Sequence, residues 1–371
     1  MRHVILKAKD RPTANVNLED AMPYITESRR KRSSGSAARV LTALVIGLLI
    51  MTNAATAALL LRTGAALQDA LSTTAIPADA PATEEFSEPV IPVSVMLDFA
   101  ERDGISIEFL QRFFTDRIVL WDQNKLKTVP INNALKKSDF DAAHIVAQEN
   151  GIRTYAPGGE DSSLLGIDVS SYQGVINWKK VKAAGVDYAM IRVGYRGYGT
   201  GSIRLDDRYE TNMSGAIAAG IPVGAYFYSQ AVTIEEAEEE AAFVLKKLTG
   251  YDIAYPVVFD MEEVDDADAR TNALTQAKRT DITIAFCEKI KAAGYTPMVY
   301  GNIRWMIMHL DLARLEAYDK WFAQYFKQPF FPYAFSMWQY TSRGTIDGIP
   351  GPVDLNLGLM DYTQSTAKSA T

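Results

Sequence analysis

One plan occurs three times in the second half of this sequence: a helix end, then Ala-Ala-Gly, then an apolar strand. The copies read VKAAGVDYAMIRV, AIAAGIPVGAYFY and KIKAAGYTPMVYG. Their glycines, Gly185, Gly220 and Gly294, suit the left-handed position just past a helix C-terminus. The runs that follow are almost continuously apolar, which is typical of parallel strands covered by helices. The repeat therefore predicts βα units that form a parallel sheet.

Between these strands the sequence predicts amphipathic helices near 206–219, 234–248 and 281–292. Further strands are expected at LGIDVS, YPVVFDME, KWFAQY, SMWQYT and VDLNL, and the last three have little helix between them. Repeated βα units over about 200 residues are typical of a TIM-like barrel. We therefore predict an α/β fold, with an incomplete barrel that begins as regular βα units and ends in bare strands.

A membrane segment is predicted near the N-terminus. Residues 40–61 form a run of 22 residues without a charge, which is long enough to cross a bilayer as a helix. The basic sequence RRKRSSGSAAR precedes it, so the positive-inside rule places residues 1–39 in the cytoplasm as a basic tail. A cleaved signal peptide ending near Ala55-Thr56-Ala57 is the alternative. Both interpretations place the rest of the chain outside the cytoplasm, either anchored to the cell membrane by a single pass or secreted.

The segments that flank the barrel have distinct compositions. Residues 62–93 are rich in Ala, Thr, Pro and Glu and predict an extended linker. Residues 94–157 predict a small α+β domain, including a helix over 138–152 closed by Gly151. We expect this domain to be a packing spacer, with a ligand-binding module as the alternative. Residues 363–371 predict a disordered tail.

Charge and reactive residues exclude several classes of function. The formal net charge is −7, which argues against nucleic acid as a partner. Cys287 is the sole cysteine and is expected in a helix core. The three histidines show no metal-ligand spacing, so we expect no metal site and no cofactor.

Carboxylates follow the apolar cores of three predicted strands: Asp168 in LLGIDVS, Asp260 and Glu262 in VVFDMEE, and Asp354 in GPVDLNLG. Catalytic groups of such barrels lie at the carboxyl ends of strands. Side chains two residues apart on a strand share a face, so Asp260 and Glu262 are expected to crowd each other. Joint ionisation is then disfavoured, and one group holds a proton for general acid catalysis. The alternative is that one of the pair caps the next loop.

Several ordered motifs resemble the glycoside hydrolase family 25 muramidases, the lysozymes of the Chalaropsis type. They are GIDVSSYQGVINW, AYFYS, FDME, VYGN, WFAQY and MWQYTSRGTIDGIPGPVDLN. The resemblance covers about residues 164–362, just over half of the chain. It implies a (β/α)5(β)3 barrel that hydrolyses the β-1,4 bond between N-acetylmuramic acid and N-acetylglucosamine, with peptidoglycan glycan strands as the partner.

The same resemblance assigns roles to the acids. Glu262 matches the proton donor, and Asp260 matches the acid that steers the substrate's 2-acetamido group or stabilises developing positive charge. Asp168 and Asp354 match outer carboxylates that hold the cluster and position water. Substrate contacts are expected from rings, one amide and one cation near strand ends: Tyr195, Tyr228, Tyr300, Trp321, Tyr325, Trp338, Tyr340, Gln339 and Arg192.

Two other functions compete with this interpretation. A chitinase-like barrel acts on N-acetylglucosamine polymers, but its DxxDxDxE pattern is absent here, because Val258 and Tyr255 stand at the upstream acid positions. A wall-binding scaffold without activity is the second, and the presence of all four acids argues against it.

Overall fold

The computed structural model describes residues 106–123 and 125–366. The basic tail, the apolar run 40–61, the linker 62–93 and the first part of the predicted small domain lie outside the described residues. Within the described part of the chain, every helix is too short or too polar to span a bilayer.

Residues 106–157 form the N-terminal module, which combines one short helix with two antiparallel hairpins. Its elements are α1 (Ile107–Gln111), β1 (Arg117–Asp122), β2 (Lys125–Pro130), β3 (Ile145–Ala147) and β4 (Arg153–Tyr155).

The helix predicted over 138–152 is wrong. Asp141 caps only a single 3-10 turn, Ala142–His144, and the chain then enters the β3–β4 hairpin. The β-branched pair Ile145 and Val146 favours a strand, and Gly151 reverses the chain at a φ of 83°. Local turn chemistry therefore outweighs the helical spacing of apolar residues.

Eight strands of the described chain close into a barrel. They are β5 (Leu164–Val169), β6 (Tyr188–Arg196), β8 (Val223–Tyr228), β9 (Val257–Asp260), β10 (Pro297–Asn302), β11 (Asp319–Ala323), β12 (Met337–Gly344) and β13 (Val353–Gly358), and the short strand β7 (Ile203–Leu205) pairs with the end of β6. Neighbouring strands run parallel from β5 through β12, whereas β13 is antiparallel to both β12 and β5 and closes the ring. The α/β barrel prediction is confirmed, with the sheet complete.

The helical layer is what remains incomplete. Its helices are α2 (Trp178–Ala183), α3 (Tyr209–Ala218), α4 (Ile234–Leu248) and α5 (Gln276–Ala292), followed by one π-helical turn (Trp305–His309) and a terminal helical turn α6 (Thr363–Thr366). The strands β11, β12 and β13 follow one another without an α-helix between them, as predicted. The α6 turn occupies the start of the segment predicted to be disordered.

The glycines of the threefold repeat end three of these helices. Gly185, Gly220 and Gly294 have φ values of 89°, 73° and 88°, which confirms the left-handed conformation predicted for them. Each helix therefore stops at the same point relative to the next strand, so the strands enter the sheet in a common direction.

The barrel interior is filled at its base by aromatic side chains. Tyr188 is fully buried and stacks on Tyr255 with ring centroids 4.5 Å apart and an interplanar angle of 8°. Gly166 and Gly358 leave room for this ring, since a Cβ added at Gly166 would lie 2.1 Å from a Tyr188 ring carbon. The base is thus a packed plug, and the opposite end remains for chemistry.

The N-terminal module is attached to the barrel by backbone and aromatic contacts. An isolated antiparallel bridge joins Lys137 to Tyr333, and Ala334 N donates to Lys136 O at 3.0 Å. The guanidinium of Arg153 lies over the rings of Trp338 and Tyr340, 5.1 Å from each centroid. The module therefore packs onto the barrel directly.

Replacing Gly166 with alanine is expected to destabilise the fold by about 1–3 kcal/mol, because the new methyl group overlaps the enclosed Tyr188 ring. Urea unfolding of the purified chain measures the change. Gly158→Ala is the matched control, since nothing lies within 4 Å of its added Cβ. Equal unfolding midpoints for the two variants would contradict the plug.

Candidate active site

Four carboxylates gather at one end of the barrel. Asp168 lies near the carboxyl end of β5, Asp260 is the last residue of β9, and Glu262 follows two residues later. Asp354 was predicted at a strand's carboxyl end but is the second residue of β13. Because β13 runs antiparallel, its amino end pairs with the carboxyl end of β5, and Asp354 stands directly opposite Asp168.

Asp168 is buried and held by two side-chain amides. Gln339 Nε2 and Asn356 Nδ2 both donate to Asp168 Oδ2, at 2.9 Å and 2.7 Å. Burial raises the pKa of Asp168 to about 6, and the Asn356 and Gln339 hydrogen bonds oppose that rise. The amides therefore make the ionised form tolerable in a place that otherwise excludes charge.

Aromatic donors fix the orientation of these amides. Trp321 Nε1 donates to Asn356 Oδ1 at 2.7 Å. The hydroxyl groups of Tyr300 and Tyr325 each donate to Gln339 Oε1 at 2.9 Å. Since the amide oxygens are occupied, the amide N–H groups point to Asp168.

Asp260 is buried, and one of its carboxyl oxygens, Oδ1, has no hydrogen-bond partner among the described residues. Burial raises the pKa of Asp260 well above its usual range, the nearby charges of Glu262 and Asp168 raise it further, and Arg192 opposes them. An unpartnered buried carboxyl oxygen is costly, so this group is suited to accept a hydrogen bond from a ligand.

Asp354 shares this electrostatic environment. Burial raises its pKa, and the charges of Asp168 and Glu262 add to the effect. Three carboxyls, Asp168, Asp260 and Asp354, therefore have raised pKa values, whereas the sequence predicted a single proton-holding group. The leading cause is loss of water, and repulsion between like charges is secondary.

Glu262 lies half-buried just beyond β9. The preceding Met261 is buried in the outer core, which is the apolar layer between the barrel strands and the surrounding helices. The chain is therefore fixed immediately before the acid. Gln230 Nε2 donates to the backbone oxygen of Glu262 at 3.5 Å, and Thr271 Oγ1 donates to Gln230 Oε1 at 3.1 Å. These contacts connect Glu262 with the loop after β8 and with a later part of its own loop, which leads to α5.

Arg192 forms a buried ion pair with Asp206, with Nη2 2.7 Å from Oδ2. Its guanidinium lies 4.8 Å from the ring centroid of Tyr172 and 5.7 Å from that of Tyr195. Its positive charge opposes the rise in the pKa of Asp260.

The structure places the predicted aromatic residues in different surroundings. Tyr300 and Tyr325 reach the amide network, and the half-buried Tyr228 pairs in register with Asp260. Trp338 and Tyr340 are instead buried in the outer core, where Trp338 Nε1 donates to Gln324 O at 2.8 Å. Their side chains alternate away from Gln339, so neither ring lines this end of the barrel. Trp321 lies beneath the amides as a support.

Sequence reasoning missed three residues at this site. Asn356 stands two positions after Asp354 and so shares its strand face, but its contact with Asp168 depends on the pairing of β13 with β5. Tyr226 lies near the same carboxylates, because burial and then their charges raise the pKa of its hydroxyl group. Tyr172 is 64% exposed and follows β5 within SSYQG, a position at the rim that apolar periodicity does not flag.

Comparison with known proteins identifies a family that this barrel resembles. Residues 167–349 match the family model for glycosyl hydrolases family 25. The match includes Asp168, Asp260 and Glu262, and it ends before Asp354.

Among curated proteins, the chain is 28% identical over 223 residues to Lysozyme M1 of Streptomyces globisporus, covering 55% of this chain and 70% of that protein. It is 24% identical over 194 residues to the autolytic lysozyme of Clostridium acetobutylicum, covering 52% of this chain and 55% of that protein.

A solved structure shares the fold. The modular autolysin LytC of Streptococcus pneumoniae, in complex with a synthetic peptidoglycan ligand, superposes with a TM-score of 0.50 at 24% identity. The alignment covers 66% of this chain and 57% of the autolysin. At this identity the likeness concerns the fold alone.

Replacing Asp168 with asparagine is expected to raise the free energy of unfolding at pH 7 by about 2–3 kcal/mol. A folded-state pKa of about 6 lies above the unfolded value, so the cost of the buried charge is absent below about pH 4 and complete above about pH 6. The gain should therefore appear as pH rises through this window. Asparagine keeps an oxygen for the Gln339 and Asn356 donors.

Urea unfolding at pH 3.5 and pH 7 measures this effect. Asp347→Asn is the control, because Asp347 forms an exposed ion pair with Lys180 and its loss should change stability by less than about 0.5 kcal/mol. If Asp168→Asn is less stable than wild type at pH 7, the buried charge of Asp168 does not destabilise the fold and the raised pKa is refuted.

Proposed function

We propose that this glycoside hydrolase, whose residues 167–349 form a family 25 domain, is a peptidoglycan muramidase. It hydrolyses the β-1,4 bond between N-acetylmuramic acid and N-acetylglucosamine. The observation that carries the proposal is the coincidence of the family match with a cluster of buried acids at one end of the barrel.

The acid cluster suits cleavage of a glycosidic bond. Such hydrolysis needs one carboxyl that gives a proton to the leaving oxygen and another that stabilises the positive charge that develops on the sugar. In this proposal Glu262 donates the proton as the bond to the leaving sugar breaks. Its half-buried position beyond the strand end leaves it accessible to a bound glycan.

Asp260 has the complementary role. Its unpartnered Oδ1 accepts a hydrogen bond from the 2-acetamido N–H of the substrate or faces the developing positive charge. Asp168 and Asp354 hold the cluster from the opposite strands, and the amide network keeps Asp168 in place. A fixed arrangement of this kind stabilises a transition state without reorganisation.

Sugar faces are apolar and stack on aromatic rings. At the rim, the rings of Tyr172 and Tyr195 lie against the guanidinium of Arg192. Tyr228 lies near Tyr172 and Arg192. These residues are therefore proposed to bind the glycan, whereas Trp321, Trp338 and Tyr340 act through packing.

Glu262→Gln is expected to lower kcat by about 10²–10⁴-fold, because the amide cannot donate a proton to the leaving oxygen. Mass spectrometry of muropeptides released from purified peptidoglycan checks both the rate and the bond: a new reducing end on muramic acid is expected. Asp260→Asn should also lose much of the activity. A reducing end on N-acetylglucosamine would instead favour the chitinase-like specificity.

Muropeptide release combined with a binding measurement distinguishes an enzyme from a scaffold. Sedimentation with purified cell wall measures binding of wild type and Glu262→Gln independently of cleavage. If both proteins bind the wall and wild type releases no more muropeptide than Glu262→Gln, the chain is a wall-binding scaffold.

Attachment to the cell membrane is a separate proposal that rests on the sequence. The uncharged run 40–61 and the basic residues before it favour a single-pass anchor with the catalytic domain outside the cell. Such an anchor would hold the enzyme close to its wall substrate.

Protease added to intact cells is expected to digest residues after 62 and to spare residues 1–39. Immunoblotting with antibodies to each end measures the outcome, and permeabilised cells provide the control. Digestion of residues 1–39 in intact cells would reverse the proposed orientation.

A further inference from the structure

One arginine connects the N-terminal module with the segment that bears Glu262. Arg304 lies two residues past the end of β10, on the same side of the barrel as the acids. Its Nε donates to Asp122 Oδ1 of the module at 2.8 Å, and its Nη1 donates to Glu263. Glu263 is bonded directly to Glu262, so the link from the module ends beside the proposed proton donor.

The contact is best protected from water at its Asp122 end, whereas the Glu263 side chain is 57% exposed. The Asp122 side chain is 7% exposed and that of Arg304 is 22% exposed, so water and salt screen their ion pair only weakly. Lys127, which also binds Asp122, lowers the pKa of that carboxyl, and Arg304 adds to the effect. A guanidinium can donate from separate nitrogens in one plane, so it holds two carboxylates at fixed angles.

Buried Met261 fixes the chain before Glu262, and the Arg304–Glu263 pair holds the residue directly after it. The strand ends at Asp260, and the hydrogen bond from Gln230 to the Glu262 backbone is long, at 3.5 Å. The next anchors of the loop lie further along the chain, where Arg270 pairs with Glu236 at 2.6 Å and Arg279 Nη2 donates to Thr271 O at 3.1 Å. The Arg304–Glu263 pair holds the chain at a point between Glu262 and these anchors.

We propose that the N-terminal module positions Glu262 through the Asp122–Arg304–Glu263 clamp. The module thereby acts on catalysis as well as on packing. The inference rests on the proposed function for its kinetic consequence, while the clamp itself is a structural claim. Asp122, Arg304 and Glu263 are positioning residues, since none is assigned a contact with substrate.

Kinetics on soluble peptidoglycan oligosaccharides test the clamp in the full-length chain. Asp122→Asn is expected to lower kcat roughly tenfold with KM unchanged within about twofold, because a displacement of the acid impairs the transition state more than binding. Glu263→Gln should give a similar loss. The double variant should lose no more than either single variant, since each breaks the same link.

Asp116→Asn is the matched control. Asp116 belongs to the same module, but its ion pair with Arg117 is exposed and does not involve the barrel. Wild-type kinetics are expected for it. Arg304→Lys provides a second variant that keeps the net charge but lacks the planar fork, and a similar loss of kcat is expected from it.

Hydrogen–deuterium exchange measures the clamp without reference to activity. Backbone amides of residues 261–270 should exchange faster in Asp122→Asn than in wild type and Asp116→Asn. Unchanged exchange in this segment overturns the clamp, and so does an unchanged kcat in an active enzyme. If exchange rises while wild type itself releases no muropeptide, the clamp stands and the muramidase assignment fails.

Discussion

The exclusion of water from the carboxyl group of Asp168 is the constraint on which the rest of the site depends. A buried carboxylate is costly unless several donors reach it. Here two amides supply those donors, and three aromatic side chains hold the amides in the required orientation. The packing of the barrel interior and the chemistry at its mouth are therefore parts of one hydrogen-bonded arrangement.

Burial also explains how several acids can share one end of a barrel. Loss of water is the leading cause of the raised pKa values of Asp168, Asp260 and Asp354, and mutual repulsion follows it. Arg192 limits the effect at Asp260 while its own charge is balanced by Asp206. The site thus combines groups that resist ionisation with one fixed positive charge.

The barrel was predictable from the sequence because the signals that mark the ends of its helices and strands are local. Gly185, Gly220 and Gly294 mark helix ends whatever the tertiary structure, and strand alternation identified the acids. Contacts between distant segments were not predictable in this way. The role of Asn356 depends on β13 running antiparallel beside β5. Local alternation puts Trp338 and Gln339 on opposite faces, but only the tertiary structure shows that Gln339 faces inward. The helix expected over 138–152 failed because a hairpin with a glycine turn competed for the same residues.

The pairing of β5 with β13 has a consequence for how the molecule comes into being. Leu164 and Gly358 are partners in that ladder, so the first and last strands of the barrel must meet before the ring exists. Contacts between such remote segments form slowly, because closing the long loop between them costs conformational entropy before the contacts contribute any stability. Asp168 receives Asn356 only at that moment. During synthesis on the ribosome, the catalytic end is therefore assembled last, after the final strand has emerged.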